Sequence, residues 1–168
     1  MRRMRRLFSL LLAVSSVLVL GVAGTGPASA VDTPIGRFGD TLRVEYMGIV
    51  ADVTVMAPVL SEIPPGFGYP PRAPRHQVWK SMVVVQAKEM PVPYAMGVSF
   101  QFRGVTLTGD AYEPRNSDAP DALQFGLQAA PAGSTVAGWV YWDCYRDLVS
   151  NVVLVDKKSF IRLGQWNG

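Results

Sequence analysis

The chain has 168 residues, 17% charged and 49% hydrophobic, with a formal net charge of +3. That length holds one domain and a leader. The apolar content excludes disorder, and its frequent interruption excludes a polytopic membrane protein. The excess positive charge belongs to Arg2, Arg3, Arg5 and Arg6; beyond Ala30, twelve Lys and Arg face thirteen Asp and Glu. No basic cluster is left downstream to neutralise phosphates, so nothing points to a nucleic-acid partner.

Residues 1–30 read as a cleavable signal peptide. A cationic start, Met1 to Arg6, precedes an apolar run from Leu7 to about Val22, and a small-residue stretch ends in Ala28-Ser29-Ala30. Small side chains at that end are what a signal peptidase admits, which places cleavage after Ala30. The alternative is an uncleaved anchor, although the run is short of the ~20 residues a span needs. No cysteine follows the run, which excludes a bacterial lipoprotein signal. Arg5-Arg6-Leu7-Phe8 resembles part of a twin-arginine motif, and general secretory export competes with that route. The expected product is residues 31–168, a single domain without a membrane span, secreted or held at the cell wall.

In the mature chain, Thr41 to Tyr46 alternates, with Leu42, Val44 and Tyr46 on one face, and predicts a strand. Met47-Gly48 is a turn. Ile49 to about Leu60 is a second extended run, with Pro58 marking its exit. Ser61 to Arg75 holds Pro64, Pro65, Pro70, Pro71 and Pro74, so it is a loop with polyproline character. Its Phe67, Tyr69 and Arg72 are either partner contacts or a lid packed on a sheet edge.

His76 to Met90 predicts the next strand. Tyr94 to Arg103 predicts another, with Val98, Phe100 and Phe102 on one face. Gly104 turns the chain into Val105 to Tyr112. Glu113 to Asp121 is a polar loop, Ala122 to Leu127 a short strand, and Pro131-Ala132-Gly133-Ser134 a turn. Val136 to Tyr145 carries two of the four tryptophans and the single cysteine. Period two puts Val140, Trp142 and Cys144 on one face and Trp139, Tyr141, Asp143 and Tyr145 on the other. A hairpin follows, Val149 to Val155 and Phe160 to Trp166, joined by Asp156-Lys157-Lys158-Ser159. Eight or nine short strands and almost no helical period predict an all-β antiparallel sandwich or barrel.

Catalytic chemistry finds little footing. The single histidine, His76, has no serine or cysteine visibly paired with it, and no nucleophile elbow is present. One His and one Cys do not make a zinc site, and Asp110, Asp118 and Asp121 lack a calcium-loop pattern. Glu45, Glu62, Glu89 and Glu113 have no local context that would raise a pKa. Cys144, unpaired in an exported protein, either links two chains or lies buried as a small hydrophobe. No metal or other cofactor is expected.

The order of features is informative as a whole. Gly36-Arg37-Phe38-Gly39-Asp40-Thr41-Leu42 opens the domain. Ile63-Pro64-Pro65-Gly66-Phe67-Gly68-Tyr69-Pro70 runs on to Gln77-Val78-Trp79, and Gly138-Trp139-Val140-Tyr141-Trp142-Asp143 leads to a hairpin closing at Trp166. Over residues 34–166 this resembles the secreted immunogenic (immunoprotective) extracellular protein family of mycobacteria and related actinobacteria. The resemblance implies an immunoglobulin-like antiparallel β-sandwich that is exported, antigenic and without an established biochemical activity. It brings no catalytic residues.

Three functions are compatible with these residues. In the first, an extracellular binding module meets a host protein or a cell-envelope glycan through Phe67, Tyr69, Arg72, Trp139, Tyr141 and Tyr145, aromatics and arginine being common contact anchors. In the second, a structural envelope protein buries the same aromatics against another copy of itself. The third, an enzyme, would rest on residues that only tertiary structure brings together.

Overall fold

The computed structural model describes residues 33–68 and 70–168; the leader assigned to residues 1–30, and Tyr69, lie outside the described residues. Among the described residues, eleven strands and two short helices are formed. In chain order they are β1 (Ile35–Arg37), β2 (Thr41–Tyr46), β3 (Ile49–Val55), β4 (Val59–Ser61), β5 (Gln77–Glu89), α1 (Ala95–Ser99), β6 (Phe100–Val105), β7 (Ala111–Tyr112), β8 (Pro114–Arg115), α2 (Leu123–Gln128), β9 (Thr135–Cys144), β10 (Asn151–Asp156) and β11 (Arg162–Asn167). One sheet runs β1-β11-β10-β6-β7. The other runs β2-β3-β5-β9-β8, with β4 also paired to β5. All strand pairs are antiparallel except β1 with β11. The expected all-β sandwich is present.

The core lies between the sheets and is set by period-two alternation. In β3, Ile49, Ala51, Val53 and Val55 are buried, and beside them on the same face of the sheet so are Val83, Val85 and Ala87 of β5. Each such fully withdrawn valine or isoleucine contributes about 1.5–3 kcal/mol of transfer free energy. Trp142 and Trp166 are the largest fully buried side chains. Each indole N–H finds a carbonyl at 3.0 Å, Trp142 on Phe102 and Trp166 on Asp40. The first of these bonds ties β9 of one sheet to β6 of the other.

Four sequence expectations are corrected. The run from Ile49 to Leu60 is two strands, broken at Met56–Pro58. Tyr94 to Arg103 is not one strand: helix α1 occupies its first half, leaving Val98 46% exposed while Phe100 and Phe102 are buried. Gly104 is not a turn but lies within β6, where a Cβ would sit 2.8 Å from Val149 Cγ2 and 3.2 Å from Trp142 Cδ2. The absent side chain makes room for the tryptophan, and the reversal comes at Thr106–Gly109, with Gly109 at φ +90°. Ala122 to Leu127 is not a strand: Leu123 and Leu127, four apart, bury one side of α2. Both helices are too short to be stable by propensity alone. They exist because they pack on each other and on β9: a Cβ on Gly97 would lie 2.9 Å from the Leu127 carbonyl, and one on Gly138 would lie 2.7 Å from Leu123 Cα.

Candidate functional site

Strand β9 lies between β5 and the short edge strand β8, and its two faces meet different surroundings. Val140, Trp142 and Cys144 point into the core, as alternation requires. Cys144 is a free thiol, 2% exposed. Burial, with the nearby Asp143 carboxylate adding to it, pushes its pKa up to about 12.

The opposite face is covered, not open. The proline loop folds back over it and is stitched to the segment before α2. Asp118 N–H donates to the Pro65 carbonyl at 2.8 Å, Ser117 Oγ to the same carbonyl at 2.9 Å, and Gly68 N–H to the Asn116 carbonyl at 2.8 Å. Phe67, at 3% exposure, packs with Val78, Ala122 and Tyr141, and Trp139 borders this second small core. Burial, with Asp121 adding to it, raises the Tyr141 phenol. Asp143 is buried too, its Oδ1 accepting from the Arg75 N–H at 2.8 Å. Of the two alternatives for the loop aromatics, partner contacts or a lid, Phe67 takes the lid position, and the outer face of β9 is covered at Tyr141 and Asp143. Phe67 and Tyr141, 3% and 4% exposed, form the underside of a lid.

The remaining predicted contact residues are scattered. Tyr69 lies outside the described residues. Arg72 is exposed beside Gly68. Tyr145 follows the end of β9 and stands edge-on to Tyr112, ring centroids 5.4 Å apart and planes at 76°. The Arg75 and Arg146 guanidinium groups lie 4.8 Å and 5.7 Å from its ring centre. Trp139 is half-buried, with Lys80 Nζ 4.3 Å from its ring centre. Trp139 and Tyr141 also line a cavity.

That cavity arises from a change of sheet. Strand β7 pairs with β6 through Gly104 and Val105, and only two residues later β8 pairs with β9 through Tyr141 and Trp142. The edge strand thus crosses from one sheet to the other at Glu113. Beyond the crossing, the start of β6 has no strand on that edge, and β9 is bordered by a single bridge from Ala122 to Trp139. A cleft of about 350 Å³ opens there between the sheets, flanked by α1 and α2. Its floor is apolar, from Phe100, Phe102 and Val140. Its rim carries the amides of Gln101, Asn116, Gln124 and Gln128, together with Arg115 and Lys157. Lys157 Nζ donates to the carbonyl of Gly97 in α1, and burial lowers its pKa.

No carboxylate, imidazole, thiol or aliphatic hydroxyl lines the cleft. Among the described residues no three His, Cys, Asp or Glu are grouped to hold a metal ion, and no helix is long and apolar enough to cross a membrane. Asp110 faces Arg146 at 3.4 Å, and Asp118 packs against Gly66. His76 is exposed ahead of β5. Arg115 and Lys157 were hidden from sequence reasoning inside a polar loop and a hairpin turn. Forty-two residues apart, they become neighbours of one cavity only through the sheet crossing, and no local pattern marks them.

No protein-family model matches the chain, and no curated protein matches it significantly. The fold is similar to the crystal structure of MPT63, a secreted protein from Mycobacterium tuberculosis, with a TM-score of 0.65 and 24% identity over 81% of this chain and 98% of that one. A candidate lipoprotein of Staphylococcus aureus gives a TM-score of 0.43 and 8% identity over 77% of this chain and 92% of that one. The likeness to MPT63 is one of fold.

Proposed function

We propose that this chain is an exported, non-enzymatic binding module that takes a small polar ligand, of host or cell-envelope origin, into the cleft between β6, β9 and α2. The cleft itself carries the proposal: an apolar floor with a rim of convergent amides and cations is the usual make-up of a ligand site, and its volume falls at the small end of the range of about 300–1,000 Å³. No carboxylate, imidazole, thiol or aliphatic hydroxyl stands beside Lys157 in the lining, and this favours binding over catalysis. Export is supported by the tripartite leader at residues 1–30 and by a secreted protein of similar fold. The same two observations favour a place in the secreted mycobacterial family; the immunoglobulin-like and antigenic character is proposed with that membership.

Trp139 provides the assay. Titration with cell-wall oligosaccharides should change tryptophan fluorescence saturably, and Trp139→Phe should abolish the response. Unchanged emission at millimolar saccharide would sink the glycan version of this reading.

Self-association is a second reading, favoured by one observation. Strand β4 pairs only with β5, and the residues on and around it, Met56, Val59, Leu60 and Ile63, are between 44% and 59% exposed. Open apolar edge strands invite pairing with a further strand. A molar mass that rises with concentration in light scattering would support this second reading, and a constant monomer mass would remove it.

A further inference from the structure

The four ion pairs among the described residues are Arg43–Glu45, Lys88–Asp52, Arg103–Glu113 and Arg146–Asp110. Neither cation of the cleft belongs to them. The acids nearest in sequence are engaged elsewhere. Glu113, two residues before Arg115, accepts from Arg103 at 3.0 Å. Asp156, adjacent to Lys157, is buried, and its Oδ2 accepts from the N–H groups of Lys158 and Ser159 and from the Ser159 hydroxyl, at 3.1, 2.8 and 2.8 Å. Asp121 does not line the cleft, and its carboxylate acts on the Tyr141 phenol, where burial, with this charge adding to it, raises the pKa. The cleft therefore holds two positive charges that no lining carboxylate balances.

The rim also offers partners for hydroxyl groups. Gln101 accepts from Arg103 Nε through its oxygen, leaving its amide N–H groups free to donate. Gln124 donates to the Ser117 carbonyl through its nitrogen, leaving its oxygen free to accept. Trp139 borders the cleft from the outer face of β9, with Lys80 Nζ 4.3 Å from its ring centre. A neutral sugar would satisfy the amides but leave both cations unanswered.

Resting on the binding reading above, we propose that the cleft selects a short acidic saccharide, with Arg115 and Lys157 receiving its carboxylate or phosphate and the Gln101 and Gln124 amides meeting its hydroxyls. Guanidinium and ammonium groups form the stronger, charge-assisted class of hydrogen bond with such anions. A saccharide carrying either anion meets the requirement, and matched probes separate them.

Isothermal titration of the purified protein with glucose, glucuronate, glucose 6-phosphate and inorganic phosphate tests the proposal. At least one acidic sugar should bind about tenfold more tightly than glucose, the scale of one charge-assisted bond. Glucuronate as the tighter ligand identifies a carboxylate, and glucose 6-phosphate identifies a phosphate. Arg115→Gln should bring the acidic sugar close to the affinity of glucose without lowering the melting temperature. Lys157→Gln should act in the same direction, and because it also frees the Gly97 carbonyl, Arg115→Gln is the decisive variant. Glucose binding as tightly as its acidic partners would overturn the anion assignment and leave the cleft a binding site. Inorganic phosphate binding as tightly as the sugar phosphate would overturn the saccharide. No saturable binding by any probe would overturn the inference, and only silence in the neutral oligosaccharide titration as well would count against the binding module.

Discussion

Gly138→Ala tests how the cleft is built. Gly138 lies in β9 beneath the start of α2, and a Cβ there would meet the Leu123 nitrogen and Cα at 2.7 Å and the Asp121 carbonyl oxygen at 2.8 Å. All three are backbone atoms, so no side-chain rotation relieves the clash, and the chain entering α2 must retreat by roughly 0.7 Å or more to reach ordinary contact. That movement strains the 2.8 Å hydrogen bond from Trp139 N–H to the Asp121 carbonyl. Overpacking costs about 1–3 kcal/mol, and a lost hydrogen bond about 1 kcal/mol. The reduced freedom of the unfolded alanine chain offsets about 0.4–1 kcal/mol. The expected net loss is about 2 kcal/mol, equivalent to a urea midpoint lowered by about 1 M. Urea unfolding followed by tryptophan fluorescence measures the midpoint, and hydrogen exchange at the Trp139 amide reports the local bond. An unchanged midpoint together with unchanged protection at Trp139 would refute the packing argument.

Three further outcomes follow from the same geometry. Phe67→Ala removes the center of the small core under the lid and should cost about 3 kcal/mol; limited proteolysis between Ser61 and Arg75 should quicken, and equal cleavage rates in variant and parent would place Phe67 outside any lid. In native buffer at pH 8, Cys144 should resist a thiol reagent and react once per chain only after unfolding, because burial raises its pKa to about 12; rapid labelling of the folded protein, or a reductant-sensitive dimer, would contradict its place in the core. Burial by itself would raise the pKa of Asp156, but hydrogen bonds from the Ser159 N–H and hydroxyl and from Lys158 outweigh it and hold it below the ordinary 3.8. Its stabilising contribution is therefore full above that value and fades as pH falls through the folded-state pKa. Asp156→Asn should be less stable than the parent at pH 6, with the gap narrowing towards pH 3 in urea midpoints; a gap of constant size would remove the charge from the explanation.

Where local pattern decided structure, the sequence was legible. Strand β2 matches the alternation of Leu42, Val44 and Tyr46, and β9 that of Val140, Trp142 and Cys144, because period two is a property of the chain itself. Where tertiary packing decided, pattern misled. Ala95 to Ser99 became helix although Val98, Phe100 and Phe102 alternate, since Gly97 lets α1 close on α2. Gly104 looked like a turn because a missing side chain has the same spelling whether it frees the backbone or makes space for Trp142.

The sequence alone determined the class of the fold and the inward face of β9, because side-chain alternation and turn chemistry act over a few residues. Tertiary structure decided the fate of the other face. Phe67 and Tyr141, credible as exposed contacts when read in the chain, bury each other because the proline loop is bonded across to residues 116–118. The cleft, too, exists only in three dimensions. It depends on an edge strand that changes sheets at Glu113, which brings Arg115 beside the same cavity as Lys157 while each one's nearest acid is turned to other partners.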